Sequence, residues 1–267
     1  MLAALYRCGP VRQPAADRRM LRTMHAPHPP LHDYYAHEAE RQGWVRELFD
    51  RTAGDYDRIE RIMSLGSGSW YRRMALRQAG LQPGMRVLDI GVGTGLLARQ
   101  AAHLVGESGH VTGVDPSAGM IRSARVPPGV ELLLGSAESI PTAPASTDFL
   151  CMGYALRHIA DMPAALREFL RVLMPGGRIC LLEITRPRGR LPHALLKAYM
   201  RGVVPLLAVV LGANPDSPTL MRYYWDTIEA CAAPDEILAA IREAGFEDVR
   251  RYTTLGIFSE YCARKPL

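Results

Sequence analysis

Arg86-Val87-Leu88-Asp89-Ile90-Gly91-Val92-Gly93-Thr94-Gly95 sets a short apolar run against an acid and then three glycines at alternate positions. The apolar part reads as a buried parallel strand, and residues 96–104 read as the helix that follows it. Gly91, Gly93 and Gly95 admit positive φ and let a ligand approach the backbone closely. A dinucleotide fingerprint spaces its glycines as G-x-G-x-x-G. Here they run G-x-G-x-G, and Asp89 stands two residues ahead of the first. A carboxylate repels a phosphate and suits an ammonium, so Asp89 points to a ligand with an amino-acid end. Joined to a nucleoside, that ligand is S-adenosylmethionine.

Three later stretches extend the pattern. His110-Val111-Thr112-Gly113-Val114-Asp115 reads as a second strand ending in an acid. An acid about 20 residues past a glycine-rich turn is placed to accept hydrogen bonds from ribose hydroxyls. Residues 130–141 read as a third strand whose polar exit, from Gly135-Ser136-Ala137-Glu138 onward, suits an adenine edge. Residues 172–183 hold a helix end, a Pro175-Gly176-Gly177 turn and a buried strand. In order, the four stretches predict a doubly wound, Rossmann-like α/β domain that binds S-adenosylmethionine. The alternative is a doubly wound domain that uses its glycines only for tight turns.

Length and composition agree with one such domain: 267 residues, 48% of them hydrophobic, supply a sizeable core. The 32 basic and 27 acidic residues give a net charge of +5. No basic stripe with interleaved aromatics appears, so no nucleic-acid partner is expected. Attraction to an anionic membrane surface stays open. Cys8, Cys151, Cys180, Cys231 and Cys262 are odd in number and far apart, and neither C-x-x-C nor H-E-x-x-H occurs. Neither a disulfide framework nor a metal site is expected, and a reducing cytoplasm fits best.

Arg7, Arg12, Arg18, Arg19 and Arg22 precede the breaker cluster Ala26-Pro27-His28-Pro29-Pro30. Residues 1–37 are therefore read as a disordered tail, or an over-extended start with initiation at Met20 or Met24, and residues 38–267 as the domain. An organellar transit peptide is the less favoured reading of the same composition. Residues 38–80 read as helices able to close over a cleft at the carboxyl ends of the strands. The apolar run over residues 202–212 is too short to span a bilayer, which takes ~20 apolar residues, and is read as a core or lid helix. Membrane contact and an apolar substrate tunnel remain the other readings. Residues 234–246 make a helix that opens on Pro and acids and closes on Gly, followed by a hairpin.

From about Arg46 to Arg264 the chain resembles the ubiquinone/menaquinone biosynthesis C-methyltransferases. Leu48-Phe49-Asp50-Arg51-Thr52-Ala53-Gly54-Asp55-Tyr56-Asp57 is similar to the family's F-D-x-x-A-x-x-Y-D stretch, and Ile62-Met63-Ser64-Leu65-Gly66 to its L-M-S-x-G. Tyr154-Ala155-Leu156-Arg157-His158 stands where the family has F-G-L-R-N. The resemblance implies a class I methyltransferase with a seven-stranded sheet, six strands parallel and one antiparallel, under an N-terminal helical lid. It implies methylation of a ring carbon on a prenylated quinol, a small lipophilic aromatic acceptor. It also implies cofactor contacts at Thr94, Asp115, Ser136 and Ala137. His158 in place of Asn, Ala155 in place of Gly, Val92 in place of a small residue and Ser136 in place of Asn or Asp are departures. O- or N-methylation of another small molecule, or cofactor binding without catalysis, are the alternatives. A homodimer and peripheral contact with the inner membrane are further readings.

A quinol ring carbon is a poor nucleophile until a hydroxyl ionises, and an unperturbed phenol has a pKa of about 10. Arg157 cannot readily be neutral, so the expected role is stabilising the phenolate. His158 is the expected proton acceptor, with a purely structural histidine as the alternative. Tyr56 is expected to position substrate or cofactor.

Overall fold

The computed structural model describes residues 26–267. Its strands are β1 (Arg86–Ile90), β2 (His110–Asp115), β3 (Val130–Leu134), β4 (Thr147–Gly153), β5 (Leu173–Ile184), β6 (Glu247–Thr254) and β7 (Phe258–Arg264). They form one sheet in the order β3-β2-β1-β4-β5-β7-β6. Pairing is parallel from β3 through β5, and β7 runs antiparallel to both its neighbours. Six strands thus share one direction and one opposes them, as the resemblance implies. Strand order reverses between β1 and β4, and at that point the carboxyl ends of a parallel sheet open a crevice.

β1 and β4 are covered on both faces, which is why they read as continuous apolar runs. Leu88, Ile90, Leu150, Met152, Ile179 and Leu181 pack with α6 (Met162–Val172) and α10 (Pro234–Glu243). On the other face Val87, Phe149, Cys151, Cys180 and Leu182 pack with α3 (Gly68–Gln78) and α4 (Leu96–Val105). Local signals set the helix ends. Asp161 accepts from the Ala164 N–H (2.8 Å) at the start of α6, and Ser117 caps the short α5 (Ala118–Ser123) through the Met120 N–H (3.0 Å).

A third cluster forms the lid. It joins α1 (Glu38–Thr52), α2 (Tyr56–Met63) and α9 (Ser217–Ala230) to a long helix made of α7 (Arg190–Ala198), a π turn (Tyr199–Val203) and α8 (Val204–Val210). The apolar run over residues 202–212 is not a core helix: within it only Val204 and Ala208 are buried. Apolar composition alone did not separate the covered face from the bare one.

The boundary at residue 37 also shifts. His28 is buried, and its Nε2 lies 2.8 Å from Nη2 of Arg41. Burial, then the Arg41 charge, lowers its pKa to about 4, so the neutral ring accepts from Arg41. The Ala232 N–H donates to the Pro27 carbonyl (2.7 Å), and Tyr34 donates to Asp226 (2.5 Å). Residues 26–37 therefore belong to the folded body, while residues 1–25 lie outside the described residues.

Val92, the bulky departure in the glycine turn, is accommodated by Gly113 of β2. A Cβ at Gly113 would lie 2.6 Å from Val92 Cγ2 and 2.9 Å from Leu132 Cδ2. Gly113→Ala should destabilise the protein by about 1–3 kcal/mol, measured by denaturant unfolding. Adding Val92→Gly should restore part of that loss; no recovery would mean that this contact is not its source.

Candidate active site

A cleft of about 1120 Å³, counted to its open mouth, lies at the switch point. Gly91, Gly93, Asp115, Ser136, Ala137 and Glu138 line the sheet side, and Val45, Phe49, Tyr56, Tyr154, His158 and Tyr224 line the other. Five of the eight expected cofactor residues are thus brought together at the carboxyl ends of β1, β2 and β3.

On that side Asp115 organises the turn. Its carboxylate accepts from the Gly93 N–H (2.8 Å) and the Ser117 N–H (2.8 Å). Burial pushes its pKa up to about 6, opposed by those two backbone donors. Gly93 has φ +55°, and a Cβ there would find no other atom nearer than 4.0 Å, so its face of the turn is open to a ligand.

Asp89, Thr94 and Gly95 are not in the cleft wall. Along β1 side chains alternate, so Asp89 shares the α4 face with Val87 while Leu88 and Ile90 face the opposite way. It is fully buried, both carboxyl oxygens lack a hydrogen-bond partner, and burial pushes its pKa up to about 8. The Thr94 hydroxyl donates to Asp57 of α2, facing a separate cleft. Gly95 (φ +87°) starts α4 against Val126.

The far side is aromatic. Phe49 lies 5.4 Å from the His158 ring and 6.1 Å from Tyr224, centroid to centroid. The Tyr56 and Tyr224 hydroxyls are 2.6 Å apart, and burial raises both phenol pKa values. His158 stacks on Tyr223 and places Nδ1 3.3 Å from its hydroxyl. Its Nε2 is buried and unpartnered. Burial, then the charge of Arg157, holds the ring pKa well below 6.5, so His158 is neutral across the physiological range.

Arg157 does not line the cleft. Nη1 meets Glu183 (2.5 Å) and the Tyr154 carbonyl (3.0 Å), and Nε meets Thr227 (3.1 Å). The guanidinium lies 4.8 Å from the centre of the Tyr224 ring. With these donors committed and the ion pair fully buried, Arg157 is a positioning residue behind Tyr224 instead of a direct contact to a phenolate. Sequence pattern alone does not single out Phe49, Tyr154, Tyr224, Glu138 and Glu183 as site residues, although Phe49, Tyr154 and Glu138 sit in the motif stretches.

The lid is tied to the cofactor side by carboxylates. Asp50 of α1 accepts from the Ser117 hydroxyl and the Gly119 N–H (2.7 Å). Asp57 pairs with Arg99 of α4 (3.1 Å).

A model of the ubiE/COQ5 methyltransferase family matches residues 36–265. A 2-phytyl-1,4-naphtoquinone methyltransferase of Thermosynechococcus vestitus is 35% identical over 216 residues, 79% of this chain and 94% of its own length. A ubiquinone/menaquinone biosynthesis C-methyltransferase of Syntrophotalea carbinolica is 35% identical, covering 84% of this chain and 94% of its own. A demethylmenaquinone methyltransferase of Symbiobacterium thermophilum is 34% identical, covering 78% and 86%. A SAM-dependent methyltransferase of Aquifex aeolicus superposes with a TM-score of 0.56 at 20% identity, covering 77% of this chain and 97% of its own. At that identity the likeness establishes the fold alone.

Two measurements probe the site. Affinity for S-adenosylmethionine should fall as pH is lowered through about 6, where Asp115 gains a proton and loses acceptor capacity. Asp115→Asn should weaken binding by more than ~1 kcal/mol at neutral pH and flatten that dependence; calorimetry with no change in either removes Asp115 from the ribose contact. Arg157→Met should destabilise the fold by about 3–5 kcal/mol, because Glu183 is left charged and buried. Arg157→Met with Glu183→Met should recover at least half of that in denaturant unfolding.

Proposed function

Because the chain belongs to the ubiE/COQ5 methyltransferase family, we propose that it methylates a ring carbon of a prenylated quinol at the expense of S-adenosylmethionine. The observation that carries this reading is the aromatic wall of Phe49, Tyr56, Tyr224 and His158 directly facing the Gly91–Gly93 turn and Asp115 across one cleft. Its walls suit a planar, apolar ring, and the three relatives quoted above are named for quinones. Methylation at oxygen or nitrogen finds no such support. A cytoplasmic location, with contact at a membrane surface where a lipophilic acceptor dissolves, belongs to the same reading.

The residues present fit the cofactor. Asp115 retains lone pairs for ribose hydroxyls after serving its two backbone donors. Ser136, Ala137 and Glu138 offer a rim for the adenine. Asp89, off the cleft wall and with its pKa pushed up to about 8 by burial, does not supply a charge to the ligand's ammonium. When bound, S-adenosylmethionine supplies an electrophilic methyl group. The protein must align the acceptor carbon with that methyl and exclude water.

Tyr56 and Tyr224, neutral and hydrogen-bonded to each other, fix the ring plane. His158 Nε2 takes a hydrogen bond from the ring hydroxyl and polarises that O–H as the carbon attacks. Because burial keeps the imidazole unprotonated, no loss of rate arises from His158 near pH 6.5. Its low basicity makes the hydrogen bond, and not full proton transfer, its main contribution.

Mass spectrometry of purified enzyme with cofactor and a panel of quinols and phenols should show transfer to a ring carbon of a quinol. Transfer only to oxygen or nitrogen overturns the reading. With the true acceptor, His158→Asn should keep kcat within about tenfold, since an amide still hydrogen-bonds, whereas His158→Leu should lose about 10²-fold. Cofactor affinity should be unchanged in both. A wild-type rate for His158→Leu would leave only alignment and desolvation.

A further inference from the structure

The helix Arg190–Val210 is apolar on both sides. It runs for 21 residues with a mean hydropathy of 1.4 over its apolar window, of which only 17% is buried. Met200, Val204 and Ala208, spaced by four, are buried and hold the helix to the lid. The other face carries Leu191, Leu195, Leu206, Val209 and Val210, each 59–70% exposed. A surface helix normally turns polar residues to that side, and soluble proteins seldom bare a contiguous apolar stripe of this kind. The Tyr199 hydroxyl donates to the Ile62 and Met63 carbonyls (2.9 and 3.2 Å), which brings the turn carrying Leu65, 81% exposed, to the same helix.

Charge indicates what covers this face. Between Glu183 and Asp216 the chain carries five cations and no acid. Arg186, Arg188 and Arg190 are exposed at the head of the helix and form no ion pair among the described residues. Lys197 and Arg201 lie 3.6 Å from Glu229 and 3.8 Å from Asp226. At the other end Arg58 donates to the Leu211 carbonyl (2.7 Å). Arg58 also lines a cleft with Arg61, Arg122 and Arg125, in which Asp55 and Asp57 are the acids. An apolar stripe with arginines at both ends matches acyl chains between anionic headgroups. A second copy of the chain meeting this face about a two-fold axis would set cation against cation.

We propose that this face docks on an anionic phospholipid bilayer, with the α7–α8 helix lying in the plane of the interface. The buried stripe through Met200, Val204 and Ala208 keeps it attached to the lid, so it rests in the membrane surface and does not cross. On the reading given above, that surface is also where the acceptor is dissolved, although docking itself does not depend on which ring is methylated.

Co-sedimentation of the full chain with phosphatidylcholine vesicles, with and without phosphatidylglycerol, tests this. Wild type should bind the anionic vesicles at least about tenfold more tightly than the neutral ones, and salt should weaken that binding. Leu195→Glu/Leu206→Glu/Val210→Glu should lower partitioning by about 10²-fold or more. Its cofactor affinity and its transfer to a short-chain, water-soluble quinol should match wild type. Failure of wild type to methylate any short-chain quinol, with vesicle binding intact, would count against the acceptor and leave the docking face standing. Vesicle binding unaffected by the three substitutions, or absent in wild type, overturns the proposal. So does a wild-type dimer in sedimentation velocity that the substitutions dissolve, because the face then belongs to a second copy.

Discussion

The buried ion pair between Arg157 and Glu183 is the constraint around which the site is assembled. Glu183 comes from the end of β5, and Arg157 from the turn after β4. Through Nε the same guanidinium reaches Thr227 of α9, and its backbone carbonyl accepts from Arg41 of α1 (2.9 Å). Sheet, turn and two lid helices therefore meet at one pair of charges. Such a pair adds little net stability compared with an apolar substitute, because desolvating it is expensive, but either charge left alone is intolerable. It acts as a registration mark: the elements must arrive together or the charge stays uncompensated.

The pair also sets the chemistry of the wall in front of it. Arg157 lies against the Tyr224 ring and lowers the proton affinity of His158. The aromatic wall is thus built of neutral groups, among them two phenols and an imidazole, all with ionisation shifted by burial. An environment of this kind suits an apolar ring in its resting state and stabilises charge only as it appears.

How much of this was legible from the residues follows from distance along the chain. Gly91, Gly93, Asp115, Ser136 and Ala137 each sit at or just past a strand end, and the topology of a doubly wound sheet brings those ends together. Asp89 lies in the same motif, yet strand alternation turns it beneath α4. Thr94 is turned to Asp57 of α2, and Gly95 is consumed in starting α4. Arg157 was correctly read as permanently charged, but its partner lies 26 residues on, across a strand pairing that no local pattern reports. Tyr56 and Tyr224 are 168 residues apart and meet only because α9 folds back over α2. Proline-rich residues 26–30 have the composition of a loose tail, but a buried imidazole and one backbone carbonyl fasten them down.

Helix α1 has a double duty. Asp50 holds it to Ser117 and Gly119 beside Asp115, while Val45 and Phe49 from the same helix face the aromatic side of the cleft. One rigid body therefore covers the places of both ligands. A ligand that orders α1 in this position spares the other that part of the work, and any coupling of the two affinities is reciprocal. The two sides of one cleft are in this way joined by a common free energy, and the order in which they fill changes the path but not the total.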